Sequence, residues 1–243
     1  MRLKIAKSIT QRSYELIRAQ ILRGELNASQ RLTEAYFAKL FGISKSPIRE
    51  ALNRLEAEGL ITIQPRRGAF VRDFSPRDTE EIYEMREILE TSAVRNLELN
   101  AKTIAQLRAA VDAAEAHLNQ NDREKYVCAD ADFHRILAQS NPNSRLRKVL
   151  ESMHDQMLIL RHKTFALSGR NSVKQHREIA QALEQGNREA AAQLMSEHIR
   201  AVRQSLLEDI QQKHAQPAPP EIEPSSARRG PKAERNAPAP SNR

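Results

Sequence analysis

Residues 44 to 71, Ser44-Lys-Ser-Pro-Ile-Arg-Glu-Ala-Leu-Asn-Arg-Leu-Glu-Ala-Glu-Gly-Leu-Ile-Thr-Ile-Gln-Pro-Arg-Arg-Gly-Ala-Phe-Val71, decide the fold of the first part of this chain. Ile48, Ala51, Leu52 and Leu55 recur at helical spacing and make a stripe to be buried. Lys45, Ser46, Arg49 and Asn53 fall on the opposite face. Pro47 sits in the first turn, where a missing N–H costs nothing. Further on, Leu60 to Gln64 alternates like a strand, Pro65 to Gly68 turns, and Ala69 to Arg72 returns. An amphipathic helix with a basic leading edge thus runs into a hairpin tipped by Arg66, Arg67 and Gly68.

Upstream, Tyr14, Ile17 and Ile21 repeat at helical spacing and Gly24 follows as a stop. Thr33 suits the N-cap of a second helix, predicted to place Phe37 and Leu40 inward and to end at Gly42. A short turn through Ile43 and Ser44 leads to the third. This is the layout of a winged helix-turn-helix, whose third helix fits the DNA major groove while the wing reaches the backbone or adjacent minor groove. The residue types agree. Arginine can donate twice to guanine O6 and N7, and asparagine can read adenine. Ser44 and Ser46 can donate to phosphate beside the free N–H groups of a helix N-terminus. A packing-only use of the motif is the bland alternative; the basic face and basic wing both argue against it.

At 243 residues there is room for two domains. Residues 1–74 hold 14 Lys and Arg against 7 Asp and Glu, so +7 of the +8 net charge lies there, which suits a nucleic-acid reader carrying a neutral larger unit. Cys128 is the single cysteine, which excludes an internal disulfide and fits a reducing, cytoplasmic compartment. No apolar run approaches the ~20 residues of a membrane span, and no signal-peptide core is evident at the start. Residues 215–243 contain 7 of the 11 prolines and read as a disordered Pro/Ala/Arg-rich tail, with Arg228, Arg229 and Lys232 able to touch DNA weakly.

From Ser75 to about 214 the pattern is helical throughout. Ser75-Pro-Arg-Asp78 reads as a capping box opening a helix with Ile82, Leu89 and Ala93 on one stripe. Further helices are predicted over 103–119, 123–140, 144–165, 172–185 and 188–212, giving an antiparallel all-α bundle of about six helices. Several polar residues fall on its inward stripes. Asp130 and His134 are one turn apart with Val127 and Leu137; His176 shares a stripe with Val173, Ala180 and Leu183; His198 shares one with Leu194, Met195 and Val202. Three imidazoles and a carboxylate entering a bundle from three helices suit a divalent metal ion. Taken singly, each histidine is as well explained as a hydrogen-bonded core residue. Arg86 and Arg161 also lie on inward stripes, and a buried arginine needs a negative partner: either an internal Glu or a ligand carboxylate.

Arg31-Leu-Thr-Glu, Ala38-Lys-Leu-Phe-Gly-Ile-Ser, Ser46-Pro-Ile-Arg-Glu-Ala-Leu, Leu55-Glu-Ala-Glu-Gly-Leu-Ile and Arg67-Gly-Ala-Phe-Val resemble the GntR family of bacterial transcription regulators. The resemblance implies operator contacts by Lys45, Ser46, Arg49, Arg67 and Gly68. Arg31, Ser44, Asn53 and Arg66 complete the candidate DNA-binding set. At position 45 the family more often has Arg; the point charge of Lys points to phosphate contact rather than base reading. Asp130-Ala-Asp-Phe-His134, Gln175-His176-Arg-Glu-Ile-Ala-Gln-Ala-Leu and Met195-Ser-Glu-His198 resemble the FCD effector domain of the FadR subfamily. That likeness implies a metal held by Asp130, His134, His176 and His198, most simply zinc, with nickel or manganese as alternatives. It also implies effector anions at Arg86, with Asn143 lining the same pocket. The two resemblances together span about residues 8–212. His117, His154, His162 and His214 match no such position and are assigned to surface or packing.

The reading that follows is a ligand-responsive repressor: a homodimer on palindromic operator DNA whose bundle binds a metal and a small carboxylate. Two contrasting readings are a constitutive DNA-binding dimer with a structural metal and a metal-dependent enzyme acting on small acids. Against the enzyme, there is no HExxH, and only Glu151–His154 has the Glu-x-x-His spacing of di-iron bundles.

Overall fold

The computed structural model describes residues 8–215. The expectations for the remainder of the tail, with Arg228, Arg229 and Lys232, and for the His214 side chain lie outside the described residues. The order of elements is α1 (Ile9–Leu22), β1 (Arg31–Leu32), α2 (Glu34–Phe41), α3 (Lys45–Ala57), β2 (Ile61–Gln64), β3 (Gly68–Val71), α4 (Pro76–Arg95), α5 (Ala101–Asn119), α6 (Arg123–Gln139), α7 (Ser144–Glu184) and α8 (Arg188–Ala215). The fold is mostly α: a winged helix-turn-helix followed by an antiparallel helical bundle.

Tyr14, Ile17 and Ile21 of α1 meet Phe37, Ile48, Leu52 and Leu55 in one buried cluster. Thr33 caps α2 by accepting from the Tyr36 N–H at 3.2 Å. Gly42 closes it at φ 67°, a left-handed conformation that lets the chain turn at once toward α3. Leu40 does not point inward as expected; it is 52% exposed. Phe37, Ala38 and Phe41 face the cluster and centre the buried arc of α2 on their side, which leaves Leu40 on its margin. Strand β3 lies between β1 and β2, antiparallel to both, with Arg31 opposite Phe70 and Gln64 opposite Gly68. β1 is too short to show alternation, so the sequence does not reveal it.

Ser75 and Asp78 form the expected reciprocal capping box at the start of α4. The bundle has five helices among the described residues, not six, because α7 runs unbroken for 41 residues. Residues 166–171 lack a proline. Gly169 within them marks a close approach rather than a break, with its carbonyl 3.5 Å from the Tyr126 hydroxyl. α4 buries Thr79, Tyr83, Arg86, Glu90, Ala93 and Val94. Ile82 and Leu89 flank this face half-buried.

The two parts meet along α1 and α7. Ile159 packs against both buried clusters. Arg18 pairs with Asp155, Gln156 Nε2 donates to the Glu58 carbonyl at 3.1 Å, and His162 Nε2 lies 2.7 Å from the Leu22 carbonyl oxygen. Among the described residues no helix is long and apolar enough to cross a membrane.

Candidate metal centre and nucleic-acid interface

Helical spacing on α6, α7 and α8 delivers His134, His176 and His198 to one point in the bundle, where a ligand nitrogen of each lies within 4.8 Å of the others. All three are buried. His176 Nε2 and His198 Nε2 are 3.1 Å apart. Metal–nitrogen bonds of ~2.0–2.1 Å in a tetrahedral site imply an edge of roughly 3.3 Å, so this pair fits a shared ion. Gln175 supports His198 from behind, with its Oε1 2.9 Å from Nδ1. An N–H donated there leaves Nε2 with a free lone pair, the outer contact a ligating imidazole needs. Burial pushes the His176 imidazole down to about 4, and holds His134 and His198 well below the ordinary value, with Arg161 and Arg86 adding to the effect at His134. Neutral imidazoles are the form that ligates metal.

Asp130 stands at the edge of this cluster. Its Oδ1 lies 3.7 Å from His176 Nδ1, while Oδ2 accepts from Arg161. Burial alone would raise its pKa, but Arg161, His176 and His134 outweigh that and hold it at about 2, so it is a carboxylate. Both arginines have internal acidic partners. Arg86 Nε donates to Glu90 at 2.6 Å, and its Nη2 is 2.9 Å from His134 Nε2. Glu90 Oε2 is 2.5 Å from His134 Nδ1. Glu90 escaped the sequence reading, although its place one helical turn after Arg86 was the available signal. Asn143 does not join this group. It is exposed, and its side chain caps α7 by accepting from the Arg145 and Leu146 N–H groups at 3.0 and 3.2 Å. A helix-opening Asn is consumed by its own free N–H groups.

On the winged helix, Arg31, Glu34, Arg49, Asn53 and Gly68 line one surface cleft of about 460 Å³ between α3 and the wing. Ser44, Lys45 and Ser46 are exposed at the N-terminus of α3. The Ser44 side chain makes no capping bond. Arg66 and Arg67 are exposed at the wing tip, where Arg66 takes φ 63° and the Arg67 N–H donates to the Gln64 carbonyl at 3.1 Å. Arg49 is gripped by Glu34 through Nε and Nη2 at 2.7 and 2.8 Å. The other edge of the guanidinium faces outward with donors to spare.

The profile of bacterial regulatory proteins, gntR family, matches residues 9–71, and that of the FCD domain matches residues 81–201. The chain belongs to the GntR family. Its FCD domain is the helical bundle that holds the histidine cluster. This GntR-family chain is 28% identical over 190 residues to the HTH-type transcriptional regulator YdhC of Bacillus subtilis, covering 76% of this chain and 85% of that one. It is 28% identical over 189 residues to a Paenarthrobacter nicotinovorans protein named "Probable D-xylose utilization operon transcriptional repressor", covering 77% and 84%. A solved GntR transcriptional regulator from Rhodococcus superposes with a TM-score of 0.75 at 26% identity, covering 83% and 99%. The GntR-family chain is therefore a bacterial DNA-binding transcriptional regulator.

Beside the FCD histidines a cavity of about 360 Å³ is lined by His134, Glu90 and Arg161, and by Arg135, Arg147, Glu151, His154 and Asp155. His154, assigned from sequence to surface or packing, stands on its wall. The volume is at the lower end of the range for small-ligand sites.

Proposed function

We propose that this regulator is a repressor that binds operator DNA as a homodimer and is controlled by a small carboxylate entering the cavity beside a divalent metal held by the FCD domain. The observation that carries the reading is the convergence of His134, His176 and His198, buried and neutral, within 4.8 Å. Asp130, outside the converging trio but with Oδ1 3.7 Å from His176 Nδ1, would supply the fourth donor on turning from Arg161 toward the ion. Zinc suits three imidazoles and a carboxylate, and nickel or manganese would also be accepted. Arg86 and Arg161 sit on the very groups of His134 and Asp130 that a cation would take. An ion there would displace both guanidinium contacts and free Arg161, which lines the cavity, to meet the carboxylate, while Arg86 keeps its pairing with Glu90. The metal would offer the acid a second anchor. The effector changes operator affinity only by binding one arrangement of the dimer better, typically ~1–3 kcal/mol of coupling.

The test pairs metal analysis with ligand screening. Purified protein should contain close to one equivalent of a divalent metal by elemental analysis, and small organic acids should raise its Tm. The double variant His134→Ala, His176→Ala should lose the metal and the acid response while still shifting operator DNA. Full metal content in that variant would refute the ligand assignment. Operator affinity indifferent to every acid that binds would leave the constitutive dimer as the better account, and turnover of an acid would favour the enzyme.

A further inference from the structure

Arg18 is the single residue of the winged helix among those lining the cavity beside the histidine cluster. Its Nε and Nη2 donate to the two oxygens of Asp155 at 2.5 and 2.6 Å. Asp155 belongs to α7 and is largely buried, with 13% of its side chain exposed. This fork fixes the guanidinium plane through one edge and leaves Nη1 with its neighbouring proton on the other. Arg147, on the same wall, donates to the Asn141 carbonyl at 2.6 Å and has no carboxylate partner among the described residues. Positive groups therefore occur on the wall apart from Arg161, which stands at the metal-candidate cluster.

We propose that the effector carries at least two carboxylates, one directed at the Arg161 and histidine end and the second held by the open edge of Arg18, with Arg147 alongside. This rests on the carboxylate reading above and extends it in two respects. It makes the ligand a di- or tricarboxylate, and it makes Arg18 an effector-contacting residue on the DNA-binding side of the molecule. Asp155 is then a positioning residue that aims Arg18. The consequence for regulation is mechanical. α1 packs on α3 through Tyr14, Ile17 and Ile21, so an acid bridging α7 to Arg18 bears on the scaffold of the recognition helix.

The experiment is isothermal titration of the full-length protein with propionate, lactate and gluconate against succinate, malate, tartrate and citrate. At least one di- or tricarboxylate should bind roughly 10- to 100-fold more tightly than the monocarboxylates, the range expected of an added charged hydrogen-bond pair. Arg18→Gln should remove that advantage while leaving monocarboxylate affinity in place, which shows the cavity itself intact. Arg18→Lys should keep part of it, as a mere loss of the α1–α7 contact would not. Asp155→Asn should reduce it less than Arg18→Gln. Undiminished dicarboxylate binding in Arg18→Gln overturns the inference and spares the carboxylate reading. Monocarboxylates binding as well as every dicarboxylate overturns it too, and no acid binding at all removes both.

Discussion

Arg49 uses one edge of its guanidinium on Glu34 and leaves the other exposed. The pair is exposed, with 63% of the Arg49 side chain accessible, so it adds little stability. Its value is orientation, since a planar fork held on one side presents a fixed pair of donors on the other. Arg49→Ala should therefore weaken operator binding by about 1–3 kcal/mol in gel shifts if the arginine reads a base. An unchanged shift would remove Arg49 from the site. The exposure of Lys45, Ser46, Arg49 and Asn53 was legible in the sequence, because helical periodicity alone separates them from Ile48, Ala51, Leu52 and Leu55. The grip of Glu34 was not, since it depends on how α2 lies beside α3. Asn143 shows the opposite failure. Its match to a family position suggested a pocket residue, and three-dimensional placement turned it outward as a cap.

At the scale of elements, α7 is the informative case. Separate helices were expected on either side of residues 166–171, and one continuous helix of 41 residues stands there. A glycine in a helix interior weakens it by about 1 kcal/mol relative to alanine without terminating it, as a proline would. Packing on α5 and α6 then carries the helix through, with Gly169 set against Leu118 and Tyr126. A Cβ added at Gly169 would come 3.1 Å from Leu118 Cδ1, the flexible end of a half-buried side chain, and an ordinary 3.5 Å from the Tyr126 hydroxyl. The helix gain should win over that small displacement. Gly169→Ala is expected to raise stability by about 0.5–1 kcal/mol in denaturant unfolding. A loss of stability would mean that Leu118 has no room to move.

For the whole molecule, the buried histidines link fold to pH. His176 falls to about 4 through burial first, and burial likewise lowers His134 and His198. The unfolded chain takes up protons near the ordinary value of about 6.5, and the folded chain does so only at lower pH. The contribution of the neutral cluster is thus complete above about 6.5 and is lost as pH falls toward 4. Chelator-treated protein should show a Tm that declines across this window, and His176→Gln should flatten the decline; an identical pH profile in the variant would discount the cluster. The sequence by itself determined the class of both parts. Period-3.6 stripes, the Ser75–Asp78 capping box and the Pro65–Gly68 turn act over a few residues and need no distant partner. The tertiary structure alone decided that His134, His176 and His198, drawn from three helices, meet, because periodicity gives a residue's direction from its own helix and not its distance from another. It also decided that Arg86 and Arg161 rest on Glu90 and Asp130, and that Arg18 of the winged helix lines the cavity beside them. A buried charge must find whichever opposite charge the packing brings within reach, and packing is settled only when the helices assemble.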